Sequence, residues 1–324
     1  MTDRPAVTVI VLFDRGEFEP CLSSLLAQTE KNFEIVAVTG GEAAAPPADP
    51  RVIVLPVADR NPARRRNLAA QQARAETLAF IDDDAAAPPD WLVSGLAFLA
   101  ARPEAAGVGG PNLRFDDATS AELITDMLLT APLIGGGSRA YRGGGATATA
   151  RPGELHLVNL FVRTEWWRKV GGLDEGMGYG AEDTEFLLRA RTMGARFDFS
   201  PSVWVRHRRR PFGPALLRQR FRLRAQSGRL FARHPQVYAA NPGFWAALIF
   251  PFALLALLLL PCLLLPAAAG YCALTVGLSR RNWRERLWLL PVAPPAFFLH
   301  HLIYAAGVWW GTIAGLASRV RKPG

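Results

Sequence analysis

Cysteine is scarce in this sequence: Cys21, Cys262 and Cys272 are the only three. They lack the spacing of a metal-binding set and cannot staple a fold, which excludes a zinc ribbon and a disulfide scaffold. They are expected to be small apolar residues in a reducing compartment. The N-terminus, MTDRPAVTVIVLFDR, lacks a basic stretch followed by an unbroken apolar core and a cleavage site. It reads as the start of a strand and not as a secretory signal, so the soluble part is expected on the cytoplasmic side. Acidic residues are missing from 201–234, which hold ten arginines. Residues 244–278 and 287–317 contain no charged side chain apart from the titratable pair His300 and His301.

What is present is unevenly spread. Half of the 324 residues are hydrophobic and the net charge is +9. Residues 1–200 carry −7, residues 201–234 carry +10 and residues 241–324 carry +6. Basic charge is thus concentrated beside the apolar stretches, which suits attraction to anionic lipid head groups. Nucleic acid is the rival partner for an arginine run. No nucleic-acid motif accompanies it, so membrane lipids are expected and nucleic acid is not. About 20 apolar residues cross a bilayer, and both uncharged stretches are long enough.

The first two hundred residues alternate strand and helix patterns. Val7–Leu12, Glu34–Val38, Val52–Leu55 and Leu78–Ile81 read as short buried strands. Phe18, Leu22, Leu25 and Leu26 have helical spacing, and Asn61-Pro62 supplies an N-cap with proline in the first turn of the next helix. Residues 118–134 read as a helix over the sheet, Leu155–Val162 as a further strand, and 181–193 as a helix closed by Gly194. Alternation of this kind defines an α/β fold: a mainly parallel, Rossmann-like sheet with helices on both faces.

The fourth strand ends in Asp82, Asp83 and Asp84. Open α/β sheets bind ligands at the carboxyl ends of their strands. Alternation along the strand predicts that Asp82 and Asp84 share a side. Two carboxylates there make a hard oxygen site for Mg²⁺ or Mn²⁺. The other reading is a solvated acidic turn before a helix N-terminus. Residues 135–145, with six glycines, are either a plain linker or a loop that orders over substrate.

Taken together, these motifs resemble the inverting family-2 glycosyltransferases of the GT-A fold, over about residues 5–210. The matching segments are LSSLLAQTEKNFEIVAV, Arg66-Asn67, FIDDD with PPDWL, Asn159–Arg163, VGGLDE at 170–175, and Gly180-Ala181-Glu182-Asp183 with Leu187, Leu188 and Arg189. The resemblance implies a nucleotide-sugar donor. It implies that Asp82 and Asp84 hold the metal, with Asp82, Asp83, Arg66 and Thr39 on the donor side. Asp183 would be the general base, with Glu182 orienting the loop or contacting the acceptor. Apart from the resemblance, the other reading of Asp183 is a helix N-cap. His207 either completes the metal site or is a surface histidine among arginines. Trp166 and Trp167 either stack on sugar or acceptor or pack in the core. The sequence departs from the family pattern in two places. Val11-Leu12-Phe13-Asp14 replaces a Pro-Thr-Tyr-Asn-like run, and Thr39-Gly40 replaces an aspartate pair. Both departures fall in the nucleotide pocket.

The chain is expected to hold three regions: a GT-A domain over 1–210, a basic interfacial helix or linker over 211–240, and transmembrane or membrane-embedded helices over 241–324. Leu217, Phe221, Ala225 and Gly228 form a thin apolar stripe on the basic helix, the pattern of a helix lying in the membrane interface. Pro261 and Pro266 are placed to turn a helical hairpin. The expected function is metal-dependent transfer of a sugar to a lipid-linked or envelope glycan at the cell membrane. The alternatives are a catalytically silent scaffold of the same fold and a sugar nucleotidyltransferase. The missing glycine-rich phosphate loop after the first strand argues against the last.

Overall fold

A computed structural model describes residues 4–13, 18–40, 49–132, 139–150, 153–177, 180–238 and 241–320. Asp14, residues 43–48 of the proline-rich loop, residues 135–138 of the glycine-rich segment and Gly178 lie outside the described residues. The chain divides into two compact units, residues 1–115 with 142–208 and residues 116–141 with 209–324.

In chain order the elements are β1 (Val7–Phe13), α1 (Phe18–Leu26), β2 (Phe33–Thr39), β3 (Val52–Pro56), α2 (Pro62–Gln72) and β4 (Thr77–Asp82). Next come β5 (Ala85–Ala86), α3 (Trp91–Ala101), β6 (Ala105–Gly109), β7 (Asn112–Leu113), α4 (Ser120–Thr130), β8 (Ala148–Thr149) and β9 (Asn159–Arg163). α5 (Thr164–Val170), α6 (Glu182–Thr192), β10 (Arg196–Phe199) and β11 (Val205–His207) come after these. The chain ends in α7 (Pro214–Arg233), α8 (Pro242–Leu259), α9 (Leu264–Leu278), α10 (Arg280–Glu285) and α11 (Leu289–Val320).

Among the described residues of the first unit, eight strands form one sheet in the order β3-β2-β1-β4-β9-β6-β10-β8. β9 runs antiparallel to both its neighbours and β8 antiparallel to β10, while the other pairings are parallel. β1, β2, β4, β6 and β9 are buried almost end to end, the signature of a sheet covered on both faces. Val7, Val9, Val11, Ile35, Ala37, Ala79 and Ile81 pack against Cys21, Leu22 and Leu25 of α1 and Trp91, Leu92 and Leu99 of α3. On the other face Trp167 of α5 lies between Phe80 and Phe186, with ring centroids 4.8 Å from each. Each such large side chain contributes about 1.5–3 kcal/mol on burial. Trp167 is therefore a core residue, and Trp166 sits under the Lys169 ammonium instead.

A second sheet, β5-β11-β7, has only short strands. Buried Asn159 steadies its approach. It accepts from Trp91 Nε1 at 2.9 Å and donates to the Val203 carbonyl at 2.9 Å. Gly110 allows the close passage required there, since a Cβ would lie 1.9 Å from the Val203 oxygen.

In the second unit α4 starts with a capping box between Thr119 and Glu122. Its Met127 and Leu128, with Ala131, pack on Leu289, Ala293, Ala296 and Phe297 of α11. The helix expected over the sheet thus belongs to the C-terminal unit and interrupts the 1–210 region. Its apolar face is satisfied by α11. The stripe on α7 is also reassigned. A Cβ on Gly311 would lie 1.9 Å from the Ala225 oxygen, one on Gly228 2.3 Å from the Val308 oxygen, and one on Gly307 2.7 Å from the Phe221 oxygen. The stripe is a helix seam against the small residues of α11, not a lipid-facing surface. The break expected near Pro261 separates α8 from α9. By length and composition, Pro261–Leu278 and Leu289–Ser318 could cross a membrane.

Candidate active site

The site grows from the carboxyl edge of the large sheet, where β1 lies between β2 and β4. Register places Leu12 beside Asp82 and Phe13 beside Thr39. Thr39 and Asp82 therefore stand on one rim, at the place where such sheets take ligands. From α2, Arg66 donates through Nη2 to Asp82 Oδ1 at 2.9 Å. Its Nη1 lies 3.6 Å from Glu182 Oε1. One nearly buried guanidinium thus joins the acidic turn to the Glu-Asp segment a hundred residues later. The next residue, Asn67, bonds the Leu173 carbonyl and amide and the Glu175 carboxylate, fastening VGGLDE beside it. Arg189 fixes the same stretch from α6 through the carbonyls of Val170 and Gly172.

Asp82 ends β4, while Asp83 and Asp84 form the turn into β5. The convergence of Asp82 and Asp84 therefore arises from a turn and not from strand alternation. β5 pairs with β11 so that His207 lies opposite Ala85, and the Arg208 amide bonds the Asp84 carbonyl at 3.0 Å. This pairing carries His207 Nε2 to 3.0 Å from Asp84 Oδ1. One ligand atom from each of Asp82, Asp84 and His207 lies within 4.8 Å of the others. Two carboxylate oxygens and an imidazole nitrogen fit a hard divalent ion such as Mn²⁺ or Mg²⁺. Behind the turn, burial pushes the Cys21 thiol up, helped by the charges of Asp83, Asp82 and Asp84. Cys21 is thus an inert core residue.

Glu182 and Asp183 open α6 behind Ala181, whose φ of 66° is left-handed. Such a conformation costs a non-glycine residue about 1 kcal/mol or more. Ala181 occupies the N-cap position, which removes the N-cap reading of Asp183. Glu182 accepts from the Gly180 amide at 2.7 Å. Asp183 accepts from the Thr184 amide at 2.6 Å and contacts His156 Nδ1 at 3.1 Å. Nothing in the sequence links His156 to Asp183. The bond exists because residues 155–158, which the sequence pattern predicts to be strand, turn instead, with the Asn159 amide on the His156 carbonyl.

The two acidic residues are pushed in opposite directions. Burial and the Asp183 charge raise Glu182, and Arg66 only partly opposes them. Burial also works against ionised Asp183, but His156 and Thr184 outweigh it and hold that carboxyl below its ordinary value. The folded state binds the Glu182 proton more tightly than the unfolded state does, so its contribution is full below the unfolded pKa and disappears as pH rises through the folded one. Glu182→Gln is therefore expected to melt a few degrees above the native protein at about pH 8, with the gap closing towards about pH 4. The amide can still accept from Gly180. A melting point below native at about pH 8, read by differential scanning fluorimetry, would contradict this.

The site is thus a cluster of carboxylates at the carboxyl edge of a GT-A-type α/β sheet. Residues 8–149 match the family model described as glycosyl transferase family 2. No curated protein matches the chain. Among solved structures, the chain is similar to the mannosyltransferase PcManGT from Pyrobaculum calidifontis in complex with GDP-Man and Mn²⁺. The TM-score is 0.62 at 20% identity, over 94% of this chain and 88% of that one. A weaker likeness, TM-score 0.49 at 15% identity, is to GalNAc-T7 with UDP, GalNAc and Mn²⁺, over 74% of this chain and 52% of that one. The chain carries a glycosyl transferase family 2 domain and is a glycosyltransferase of the GT-A fold.

Proposed function

We propose that the protein transfers a glycosyl group from a nucleotide-diphosphate sugar to a hydroxyl of a membrane-presented acceptor, with inversion at the anomeric carbon. The observation that carries this reading is Arg66 between Asp82 and Glu182. Its one guanidinium contacts both the acidic turn and the Glu-Asp segment, which supports a shared site. Asp183 accepts the acceptor's hydroxyl proton while that oxygen attacks the anomeric carbon and the bond to the diphosphate oxygen breaks. A single displacement inverts the carbon. His156 and the Thr184 amide keep the Asp183 carboxylate ionised and aimed. Glu182 orients the loop through Gly180. Arg66 turns its fork to the donor phosphates. Asp83 and the Thr39 hydroxyl face the nucleoside in place of the family's aspartate pair. Asp82, Asp84 and His207 would hold a divalent ion, which when bound neutralises charge on the leaving diphosphate. The acceptor is a lipid-linked or envelope glycan, and the catalytic unit lies on the cytoplasmic face, as the arginine-rich flanks of the apolar helices support.

A thermal-shift series with GDP- and UDP-sugars tests the donor reading. The matching donor is expected to raise the melting point only when Mn²⁺ or Mg²⁺ is present, in proportion to ln(1 + [L]/Kd). In His207→Ala the metal requirement should rise on the order of 10–100-fold. Stabilisation by no diphosphate nucleotide would overturn the reading.

A further inference from the structure

The proposed function seats the C-terminal unit on a membrane. Resting on that seat, we infer that the α8–α9 hairpin inserts into a single leaflet, that α11 does not cross the bilayer, and that every polar end of this unit stays on one side.

The tip of the hairpin is the first reason. Residues 257–266 read LLLLPCLLLP. Leu258, Leu259 and Leu265 are 74%, 72% and 84% exposed. A hairpin that crossed fully would deliver this turn to water on the far side, with seven leucines and no charged, amide or hydroxyl side chain. Buried in hydrocarbon, the same turn leaves little unsatisfied. Pro261 and Pro266 have no N–H, and the amides of Leu260 and Leu263 bond the carbonyls of Ala256 and Leu260 at 2.9 and 3.0 Å.

Length is the second reason. α8 is anchored at its start. Phe244 is fully buried against Tyr238 and Phe231, Trp309 Nε1 bonds the Leu248 carbonyl, and Phe252 meets Trp309. α9 is held at Tyr271, which bonds His301. Only residues 253–270 are left to project. Each free arm then rises about 10 Å at 1.5 Å per residue, within one leaflet of a core about 30 Å thick.

The third reason is α7. Arg224 stacks on Tyr304 at 4.1 Å, and Gly228 and Ala232 abut Val308 and Gly315, so α7 runs beside the second half of α11. Arg218, Arg222, Arg229 and Arg233 form one exposed row along it. Were α11 to cross, this row would be drawn into hydrocarbon, where arginine is strongly disfavoured. Lying flat, α11 presents Phe298, Leu302, Trp310, Ile313 and Leu316, all at least 40% exposed, along one stripe to the lipid. The arginines then meet anionic head groups, joined by Arg280, Arg281, Arg284 and Arg286 at the hairpin's other end.

The native thiol at the tip makes the test direct. Full-length Cys272→Ala retains Cys262 and the buried Cys21. In sealed vesicles, Cys262 is expected to resist an impermeant mass-tagging maleimide from either side, with both thiols tagged after denaturation. Gln236→Cys, Glu285→Cys and Ser318→Cys, each added to that background, should be tagged from one and the same side. Flotation with phosphatidylglycerol-containing vesicles should weaken about fivefold for each of the four row arginines changed to Gln. Tagging of Cys262 from the side opposite Gln236→Cys would establish a crossing hairpin, and tagging of Ser318→Cys from that side a crossing α11. Either result overturns the topology and leaves the membrane seat intact. Protein that does not float, with Cys262 shielded in a soluble dimer, would instead assign the apolar tip to a second copy and overturn both.

Discussion

Asp183→Asn is expected to lower kcat for sugar transfer by about 10²–10⁴-fold, the usual contribution of a positioned base. Donor affinity should change little, because the asparagine is isosteric and Arg66, Asp82 and Asp84 are untouched. The same variant separates two reasons for inactivity. A damaged donor pocket would raise the donor KM, whereas a missing base leaves donor binding intact and removes turnover. His156→Gln supplies the companion measurement. With the imidazole gone, only Thr184 still opposes burial and the Asp183 pKa rises, so the acid limb of the kcat profile should move to higher pH. If Asp183→Asn kept full transfer activity, the base assignment would be wrong.

Gly311→Leu carries the second large effect. The Ala225 carbonyl oxygen already occupies the space a side chain would need, at 1.9 Å from the first added carbon. Backbone cannot rotate aside as a side chain can, so α7 and α11 must part along the seam. Overpacking of this kind costs about 1–3 kcal/mol or more. The expected result is a lower melting point together with new protease cleavage within α7. Gly270→Leu is the matched control, since no atom of the described residues lies within 4 Å of the position its Cβ would take. Equal melting points for the two variants would rule out the tight seam.

Much of the first unit was legible because burial on both faces leaves a long apolar signature. Val7–Leu12 and Leu78–Ile81 fall within β1 and β4 to a residue at either end. Asn61 caps α2 as its type suggests, accepting from the amides of Ala63 and Arg64. The convergence of Asp82 and Glu182 followed from motif order, since one ends β4 and the other opens α6 at the same sheet edge, and Arg66 reaches both from within α2. What escaped was set by contacts without a local pattern. Two-residue strands such as β5 have no periodicity, so the pairing that lifts His207 to Asp84 could not be read. His156 reaches Asp183 through an irregular turn. The apolar face of α4 looked like that of any sheet-covering helix, because composition does not say which apolar partner a helix will find. The stripe on α7 misled for the same reason: glycine and alanine on a basic helix suit a lipid surface or a close helix neighbour equally well.

The pairing of α4 with α11 also has a bearing on biosynthesis. Met127 and Leu128 leave the ribosome well before Leu289 and Phe297, which cover them in the finished protein. At about 5–20 residues per second, the interval is roughly 8–30 s. For that time a newly made greasy helix waits without its mate, in the middle of a chain whose preceding strands are already translated. In a nascent chain stalled in α10, α4 should therefore be captured by holdases, and in one released after α11 it should not.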